Sequence, residues 1–439
     1  MPATWPTSWS TSPPPNQPSS RVPTSTSTAA PISPDHQHAM KRYAGIISLV
    51  VAGCTALKAT NPPGAPEVYI LDGNVLRANK ERVAQKDKEL TPAYRKLLQD
   101  ADKALLEGPF SVMEKKNDPP SGDKHDYMSL APYFWPDPTK PDGLPYIRKD
   151  GQTNPEVKEY KDKEYMPRMC ALVETLSLAY YFSGDERYAA HAALLLKTWF
   201  LNPATKMNPN LNFGQAMKGH NNGRGAGLID VRHFTRVIDG IGMLKGSKSW
   251  TPADEQGMQQ WFGAFLGWMQ TSKNGLDELK AQNNHGTFYD ALRLSMALFI
   301  DSTDLARRVV ASAQQRLDKQ MDAEGKFPKE MERTIALHYN TFNLEAFFKI
   351  ASMAEKLGVD FWQYRGPSGG SLQKGFDYFY PFLTKQKEWT GQQIKPFEFE
   401  EGYPLLLAAA KKYGCAPCPA AVDKLAGNEA PTLRLRLVY

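Results

Sequence analysis

The chain has 439 residues, of which 41% are hydrophobic and 11% aromatic, so it is long and apolar enough for one large domain or two smaller ones. Its formal net charge of +6 is modest, and without a dense run of Lys and Arg nucleic acid is excluded as an expected ligand. The small positive excess instead favours an acidic ligand, which it attracts over a distance.

Residues 1–39 are rich in Pro, Ser and Thr and contain almost no long apolar side chains. Such a segment cannot bury enough apolar surface to offset its conformational entropy, so it is predicted to be disordered. The signal-like residues that follow Met40 suggest a further hypothesis, in which translation begins at Met40 and residues 1–39 are not translated.

Residues 40–59 have the pattern of a secretory signal, with a short basic region, an apolar run over 44–53 and small residues after it. The run is too short to span a bilayer comfortably, so no transmembrane helix is predicted. Its end, V-A-G-C, resembles a lipobox in which Cys54 carries the lipid anchor; a signal peptide cut near Ala56 or Ala59 is the alternative. Either way we expect an exported protein, whether periplasmic, secreted or an outer-membrane lipoprotein.

From about Leu90 onward the hydrophobic periodicity is helical. An apolar stripe over 166–182 is interrupted by Ser-Gly-Asp and resumes over 186–200, which predicts an antiparallel helical hairpin. Successive hairpins predict an all-α fold, an α/α toroid whose inner and outer helices surround a cleft, although a solenoid gives the same periodicity. Strand-like alternation is confined to 432–439. The helical pattern recurs at 231–244, 253–270, 287–300, 303–321, 341–357 and 372–383.

Three cysteines lie outside the signal segment. Cys170 falls in an apolar helical stretch and is predicted to be a small core residue. Cys415 and Cys418 form a C-A-P-C motif, and in an exported protein they are candidates for a local disulfide. A single CxxC pair without a second pair or a neighbouring His is weak evidence for a zinc site.

Two irregular stretches are predicted to form the walls of a cleft. Residues 118–155 are rich in proline and aromatic side chains, and residues 202–227 are rich in Asn and Gly. A connection as long as the first is usually functional or disordered, and its aromatic residues argue against disorder.

Two short segments concentrate Asn, His, Arg and Tyr. N-N-H-G at 283–286 immediately precedes a predicted helix, so its Asn residues are also candidates for helix capping. A hydrogen-bonded structural histidine is the alternative for His285. In the segment 332–340, Arg333 and Tyr339 are six positions apart, which suits a loop-to-helix junction better than one helix face. Core packing is the alternative for Tyr339.

These residue types match the demands of β-elimination on an acidic polysaccharide. The uronate carboxylate must be neutralised to stabilise the enolate-like intermediate, which Arg, Asn and His can do. A base must take the C5 proton and an acid must protonate the departing O4. Tyr can act as the base if a nearby cation lowers its pKa from about 10. Since H5 and O4 of mannuronate and glucuronate lie on one face, one Tyr can perform both steps.

Four segments occur together in one order: YFWPDP, NFGQ with NNGRG, NNHG, and the Arg and Tyr of 332–340. Over roughly 71–413 the chain thereby resembles the alginate lyase domain superfamily of polysaccharide lyases. The resemblance implies an α/α toroid and a Tyr that both accepts and donates a proton.

By this resemblance Tyr339 is the catalytic base and acid. His285, with Asn284 or Asn222, neutralises the carboxylate, and Arg333 lowers the pKa of Tyr339 or binds the sugar. His285 could instead share the role of base.

The segments at 132–138 and 221–225 look more like the glucuronan and mannuronan branch than like better-known alginate lyases. The resemblance therefore implies a β-1,4-linked polyuronate, polymannuronate or glucuronan, as the substrate. It places the catalytic domain at 66–415 and leaves 416–439 as a C-terminal tail.

Further residues are candidates for substrate binding, with loop packing as the alternative for Trp135 and a surface salt bridge for Arg224. No metal or cofactor is predicted, because the acidic residues of the first wall lack a recognised calcium-binding spacing. These acidic residues are Asp123, Asp126, Asp137 and Asp142. The candidates for substrate binding are Tyr133, Trp135, Arg148, His220, Arg224 and His338.

Two other functions stay open. A toroidal glycoside hydrolase needs two carboxylates beside the scissile bond, and the available acids form no persuasive pair. A non-catalytic polysaccharide-binding or export protein would keep the cleft without turnover. The sequence ranks neither mannuronate against glucuronate nor endo against exo cleavage, and it predicts no oligomeric state. The acids considered for a hydrolase are Asp290, Glu330, Glu332 and Glu401.

Overall fold

The computed structural model describes residues 64–439. The predicted disordered segment, signal peptide and lipobox therefore lie outside the described residues. The helices are α1 (Gly73–Ala84), α2 (Thr91–Ala104), α3 (Lys161–Ser183), α4 (Glu186–Leu196), α5 (Phe234–Leu244), α6 (Pro252–Thr271), α7 (Lys273–Leu279), α8 (Asn284–Phe299), α9 (Thr303–Gln320), α10 (Pro328–Met331), α11 (Ala336–Glu355), α12 (Leu372–Leu383), α13 (Tyr403–Tyr413), α14 (Cys418–Ala426) and α15 (Leu435–Val438).

The predicted hairpin of α3 and α4 is confirmed. Gly184 ends α3 with φ 74°, a left-handed conformation that glycine adopts without strain. The side chain of Asp185 then accepts a hydrogen bond from the backbone N–H of Arg187 at 3.0 Å and caps α4. A π-helical turn, Lys197–Leu201, extends α4 to the residues that the periodicity predicts.

Inner and outer helices alternate along the chain. Nearly every residue of α5 and α8 is buried, whereas the outer helix α9 buries only one stripe. α3 packs against α4 and α5, and α8 packs against α9 and α11. An amphipathic helix covers a buried one, as expected when one apolar face must meet a core.

The irregular stretches are held by two small sheets. β1 (Met128–Leu130) pairs in parallel with β4 (Phe213–Ala216), which joins the two predicted walls. β2 (Phe134–Trp135) pairs antiparallel with β3 (Ile147–Arg148) inside the first wall. Both walls are thus ordered where they approach the helices.

The C-terminal residues depart from the predicted pattern. The strand suggested by the alternation at 432–439 is wrong, because a 3₁₀ turn and α15 occupy this region. The Nδ2 of Asn79 on α1 donates to the carbonyl of Leu437 at 3.2 Å, so docking on α1 overrides the short alternating pattern. Cys418 and Leu437 are fully buried, so this segment packs into the core.

Cys415 and Cys418 form the disulfide for which the sequence made them candidates, and Cys170 is a buried free thiol in the core, as predicted. In residues 64–439, none of the helices has the length and apolar character needed to cross a membrane.

Candidate active site

Tyr339 lies in the first turn of α11, where its phenol meets the first wall. Its hydroxyl is 2.9 Å from the hydroxyl of Tyr133, and its side chain is buried. The guanidinium of Arg333 lies 3.6 Å from the centre of the Tyr339 ring. The loop-to-helix junction predicted for this segment is therefore confirmed, and it gathers two tyrosines and an arginine.

Arg333 is held by Asp150, a residue that the sequence analysis missed. Its Nε and Nη2 atoms lie 3.0 and 2.8 Å from the two carboxylate oxygens of Asp150. Burial alone would raise the pKa of Asp150, but the hydrogen bonds and charge of Arg333 outweigh it and hold that pKa well below its usual range. Arg148 reaches the same carboxylate at 2.7 Å. Asp150 therefore fastens the first wall to the residues beside α11.

The pKa of Tyr339 is raised well above its ordinary value, contrary to the net lowering expected from a nearby cation. Burial is the largest cause, and the neighbouring Tyr133 adds to it. Arg333 does act to lower the pKa, but its charge is already shared with Asp150. Without substrate, Tyr339 is therefore a neutral phenol.

The N-N-H-G segment begins α8 itself, slightly earlier than predicted. Asn283 is the N-cap, and its Oδ1 accepts the backbone N–H of His285 at 3.3 Å. The Nδ1 of His285 lies 2.7 Å from Oε1 of Glu278, a buried acid on α7. Because Glu278 occupies Nδ1, His285 has Nε2 left for another partner.

Asn284 contacts a second buried acid. Its backbone N–H and its side-chain Nδ2 both donate to Glu330, at 2.5 Å and at 2.9 and 3.0 Å. Burial raises the pKa of Glu330, while Asn284, Arg333 and His285 act in the opposite direction. The electrostatic influence of Arg333 and His285 on one acid shows that the start of α8 and the residues before α11 belong to one site.

Arg224 approaches this site from the second wall. Its Nη2 donates to Oε1 of Gln215 at 2.8 Å, and its guanidinium lies 5.2 Å from the ring centre of Phe134. The Nε of Arg224 is buried without a hydrogen-bond partner among the described residues. Burial lowers the pKa of Arg224, while the negative charges of Glu278 and Asp230 raise it. This hydrogen bond, and not a surface salt bridge, holds Arg224.

Gln215 is held in turn by Asp230. Its Nε2 donates to Asp230 at 3.0 Å, and its backbone has φ 50°, in the left-handed region that a buried glutamine rarely adopts. Tyr127 and Ser129 donate to the same carboxylate at 3.1 and 2.7 Å, and Lys163 forms an ion pair with it. Asp230 thus joins the two walls, a role that the sequence analysis did not find.

Other predicted residues lie farther along the walls or beside Tyr339. Trp135 donates through Nε1 to the carbonyl of Gln152 at 2.9 Å, and a ring nitrogen of His220 lies 2.8 Å from the carbonyl of Tyr146. These contacts tie both side chains to the backbone of the first wall.

Asn222 is exposed, and among residues 64–439 its side chain has no hydrogen-bond partner. His338 stands edge-on to Tyr339, with ring centres 5.1 Å apart, and its Nδ1 lies 2.7 Å from Glu401. The structure therefore gathers Tyr133, His338 and Tyr339.

Three of the four acids considered for a hydrolase already have partners. Glu330 contacts Asn284, and Asp290 is buried against Arg316 at 2.7 Å. Glu401 is paired with His338. Within residues 64–439, no group of three or more His, Cys, Asp or Glu side chains could hold a metal ion. The arrangement is thus one of a phenol, an imidazole, an amide and two guanidinium groups.

Comparison with known proteins gives a consistent result. A family model described as alginate lyase matches residues 111–389. The crystal structure of an alginate lyase from Bacteroides ovatus is 42% identical, with a TM-score of 0.81, covering 85% of this chain and 99% of that one. A search among curated proteins finds no match.

More distant structures share the fold. Alginate lyase A1-III from Sphingomonas species A1 is 16% identical, with a TM-score of 0.55, over 87% of this chain and 99% of that one. A variant of A1-III complexed with a tetrasaccharide is also 16% identical, with a TM-score of 0.54, over 85% and 97% of the two chains. The predicted α/α toroid is confirmed.

Proposed function

The chain belongs to the alginate lyase family and is a polysaccharide lyase, and from this premise we propose that it cleaves a β-1,4-linked polyuronate by β-elimination. Polymannuronate, as in alginate, and glucuronan are the proposed substrates. The observation that carries the proposal is the Tyr339 phenol held between Tyr133 and Arg333, beside the His285 segment.

Neutralisation of the uronate carboxylate is assigned to the start of α8 and to the second wall. His285 has Nε2 free for the substrate because Glu278 occupies Nδ1. The N-terminal end of α8 adds a favourable partial charge for an anion. The buried, unpartnered Nε of Arg224 supplies a further donor. Such preorganised donors stabilise the enolate-like intermediate.

Proton transfer is assigned to Tyr339. Its raised pKa makes the phenolate scarce but strongly basic, so it can take H5 once it forms. Arg333, which lies over the ring, stabilises the negative charge of the phenolate, and the hydroxyl of Tyr133 at 2.9 Å holds the phenol in place. The proton taken from C5 then passes from the phenol to O4 as the glycosidic C4–O4 bond breaks, which leaves a C4=C5 double bond and restores the phenolate.

The experiment follows the near-ultraviolet absorbance of the C4=C5 double bond with polymannuronate, polyguluronate, glucuronan and hyaluronan. We expect a rise with polymannuronate or glucuronan that Tyr339→Phe abolishes. Tyr188→Phe is the matched control, because it removes a tyrosine hydroxyl on α4 that donates to Asp102 on α2 at 2.8 Å. New reducing ends without the absorbance would indicate a hydrolase, and no change with any polymer would indicate a binding protein.

The proposal includes export, since the polymer lies outside the cell. Its support is the signal-like pattern of residues 40–59. Mass spectrometry of the native protein tests it: a first residue at Cys54 with a lipid identifies a lipoprotein, and a start near Ala56 or Ala59 identifies an ordinary signal peptide. Peptides from residues 1–39 would contradict a translation start at Met40.

A further inference from the structure

The amide nitrogen of Asn284 is engaged by Glu330. Asn284 and Glu330 are both fully buried, and Nδ2 of Asn284 lies 2.9 and 3.0 Å from the two oxygens of Glu330. If Glu330 is ionised, it can only accept, so it holds the nitrogen end of the amide and leaves Oδ1 as the end that a ligand would meet. An amide oxygen facing a uronate carboxylate repels it, which is the opposite of neutralisation.

A single proton on Glu330 reverses this arrangement. The oxygen and nitrogen ends of an asparagine amide have nearly the same shape, so a half-turn exchanges them without moving other atoms. A neutral Glu330 can donate from Oε2 to Oδ1 of the turned amide. Its Oε1 still accepts the backbone N–H of Asn284, which lies 2.5 Å away.

We propose that Glu330 is a positioning residue that acts as a neutral carboxylic acid, donating to Oδ1 of Asn284 so that the amide nitrogen faces the uronate carboxylate. This inference rests on the proposed function, because it needs a carboxylate in the site. The proton stays on Glu330 throughout, and no covalent bond changes. Asn284 then supplies the neutralising donor that the sequence analysis assigned to it.

Burial favours the neutral acid at Glu330, and the two cations that oppose it already have acidic partners. Arg333, beside α10, is already paired with Asp150, and His285, on α8, is already paired with Glu278. Burial raises the pKa of Tyr339 on α11, so this phenol is neutral at pH 7 and adds no charge. Burial therefore dominates and raises the pKa of Glu330. An arriving uronate carboxylate adds a like charge and raises it further.

The first test reads the protonation state without requiring catalysis. Carbon NMR of the protein labelled at the glutamate side-chain carboxyl carbons should show one resonance that remains that of a neutral acid at pH 7. That resonance should be missing from Glu330→Gln; Glu330→Asp, which also removes the label, serves if the first variant does not fold. A Glu330 resonance that is already ionised at pH 7 would overturn the proposal.

The second test follows KM against pH with the cleaved polymer. Above the pKa of Glu330, KM should rise about tenfold per pH unit, because only the neutral acid turns the amide. Glu330→Gln keeps both hydrogen bonds without titrating, so its KM should lack this rise. Glu330→Leu should raise KM roughly tenfold at every pH, because it leaves the amide unheld. An equal alkaline rise in Glu330→Gln and wild type would contradict the proposal.

The two tests separate the possible failures. A neutral Glu330 in a protein that cleaves no uronate polymer would contradict the proposed function alone. An ionised Glu330 in an active lyase would contradict the positioning role alone, and Glu330 would then be a structural acceptor for Asn284.

Discussion

The two helix starts that form the candidate site are held in different ways. At the start of α8, Asn284 and His285 are each backed by a buried acid, Glu330 and Glu278. At the start of α11, Tyr339 is instead held through residues of the first wall. The side chains at the start of α8 are therefore held by residues of other helices. The position of the Tyr339 phenol depends instead on the position of the first wall.

Residues of the first wall reach the α11 start at two points, Tyr133 on the phenol and Asp150 on Arg333. No comparable wall residue is hydrogen-bonded to the side chains of Asn284 or His285 among the described residues. Loosening the wall should therefore reduce proton transfer more than carboxylate binding, which four experiments can test.

The largest effect is expected from Arg333→Ala, which breaks the α11 side of the comparison. It removes the cation beside the phenol and leaves Asp150 without its main partner, so kcat should fall by about 10³-fold. Steady-state kinetics measure this, with Arg187→Ala, an exposed ion pair with Asp185, as the control. A loss confined to KM would show that Arg333 only binds the sugar.

Glu278→Gln tests the second half of the comparison, the acid that holds His285 at the start of α8. It replaces an acceptor-only carboxylate by an amide that can also donate, so the tautomer of His285 is no longer fixed and kcat/KM should fall on the order of 10- to 100-fold while Tyr339 stays in place. Nitrogen NMR of the histidine rings reports the tautomer, and kinetics report the rate. Glu355→Gln, which alters an ion pair with Lys412, is the control. An unchanged tautomer with lost activity would contradict the orienting role.

Tyr133→Phe sharpens the comparison by removing one hydrogen bond to the phenol. We expect kcat to fall about tenfold with KM nearly unchanged, because the lost bond holds the phenol in position for proton transfer and does not bind the substrate. Tyr188→Phe again serves as the control. A larger effect on KM than on kcat would mean that Tyr133 contacts the sugar and does little for the phenol.

The smallest effect concerns acid stability. The folded pKa of Asp150 lies below its unfolded value of about 4, so its contribution is present above that pH and is lost as pH falls through the folded pKa. Asp150→Asn should lower the free energy of unfolding by about 1 kcal/mol at pH 7 and by less at pH 3. Urea unfolding measures this, with Asp100→Asn, an exposed pair with Lys96, as the control. An equal loss at both pH values would exclude the carboxylate charge as the cause.

The features that could be predicted from the sequence are the helices whose hydrophobic periodicity is clear. Periodicity located α3 and most later helices within a few residues, because an apolar stripe fixes which face a helix buries. It missed α1, and it mistook the residues around α15 for a strand because packing on α1 decides their conformation.

At the site, His285, Arg333 and Tyr339 could be found because their residue types carry the chemistry and their segments are distinctive. Their partners Asp150, Glu278 and Glu330 could not be assigned such roles. An acid is common anywhere in a chain, and only the fold brings Asp150 to Arg333 across 183 positions. The raised pKa of Tyr339 could not be predicted either. The sequence shows the nearby Arg333, which lowers that pKa, but it does not show the burial that raises it by more.

The left-handed backbone of Gln215 has a consequence for engineering this enzyme. Relieving a left-handed residue with glycine is a standard route to heat tolerance, and φ 50° marks Gln215 as an obvious choice. Yet its side chain joins Asp230 to Arg224, so the same change would free the guanidinium that we propose as a donor to the uronate carboxylate. At this position a change that raises the melting temperature is expected to lower lyase activity. Variants of Gln215 should therefore be screened for activity as well as for melting temperature.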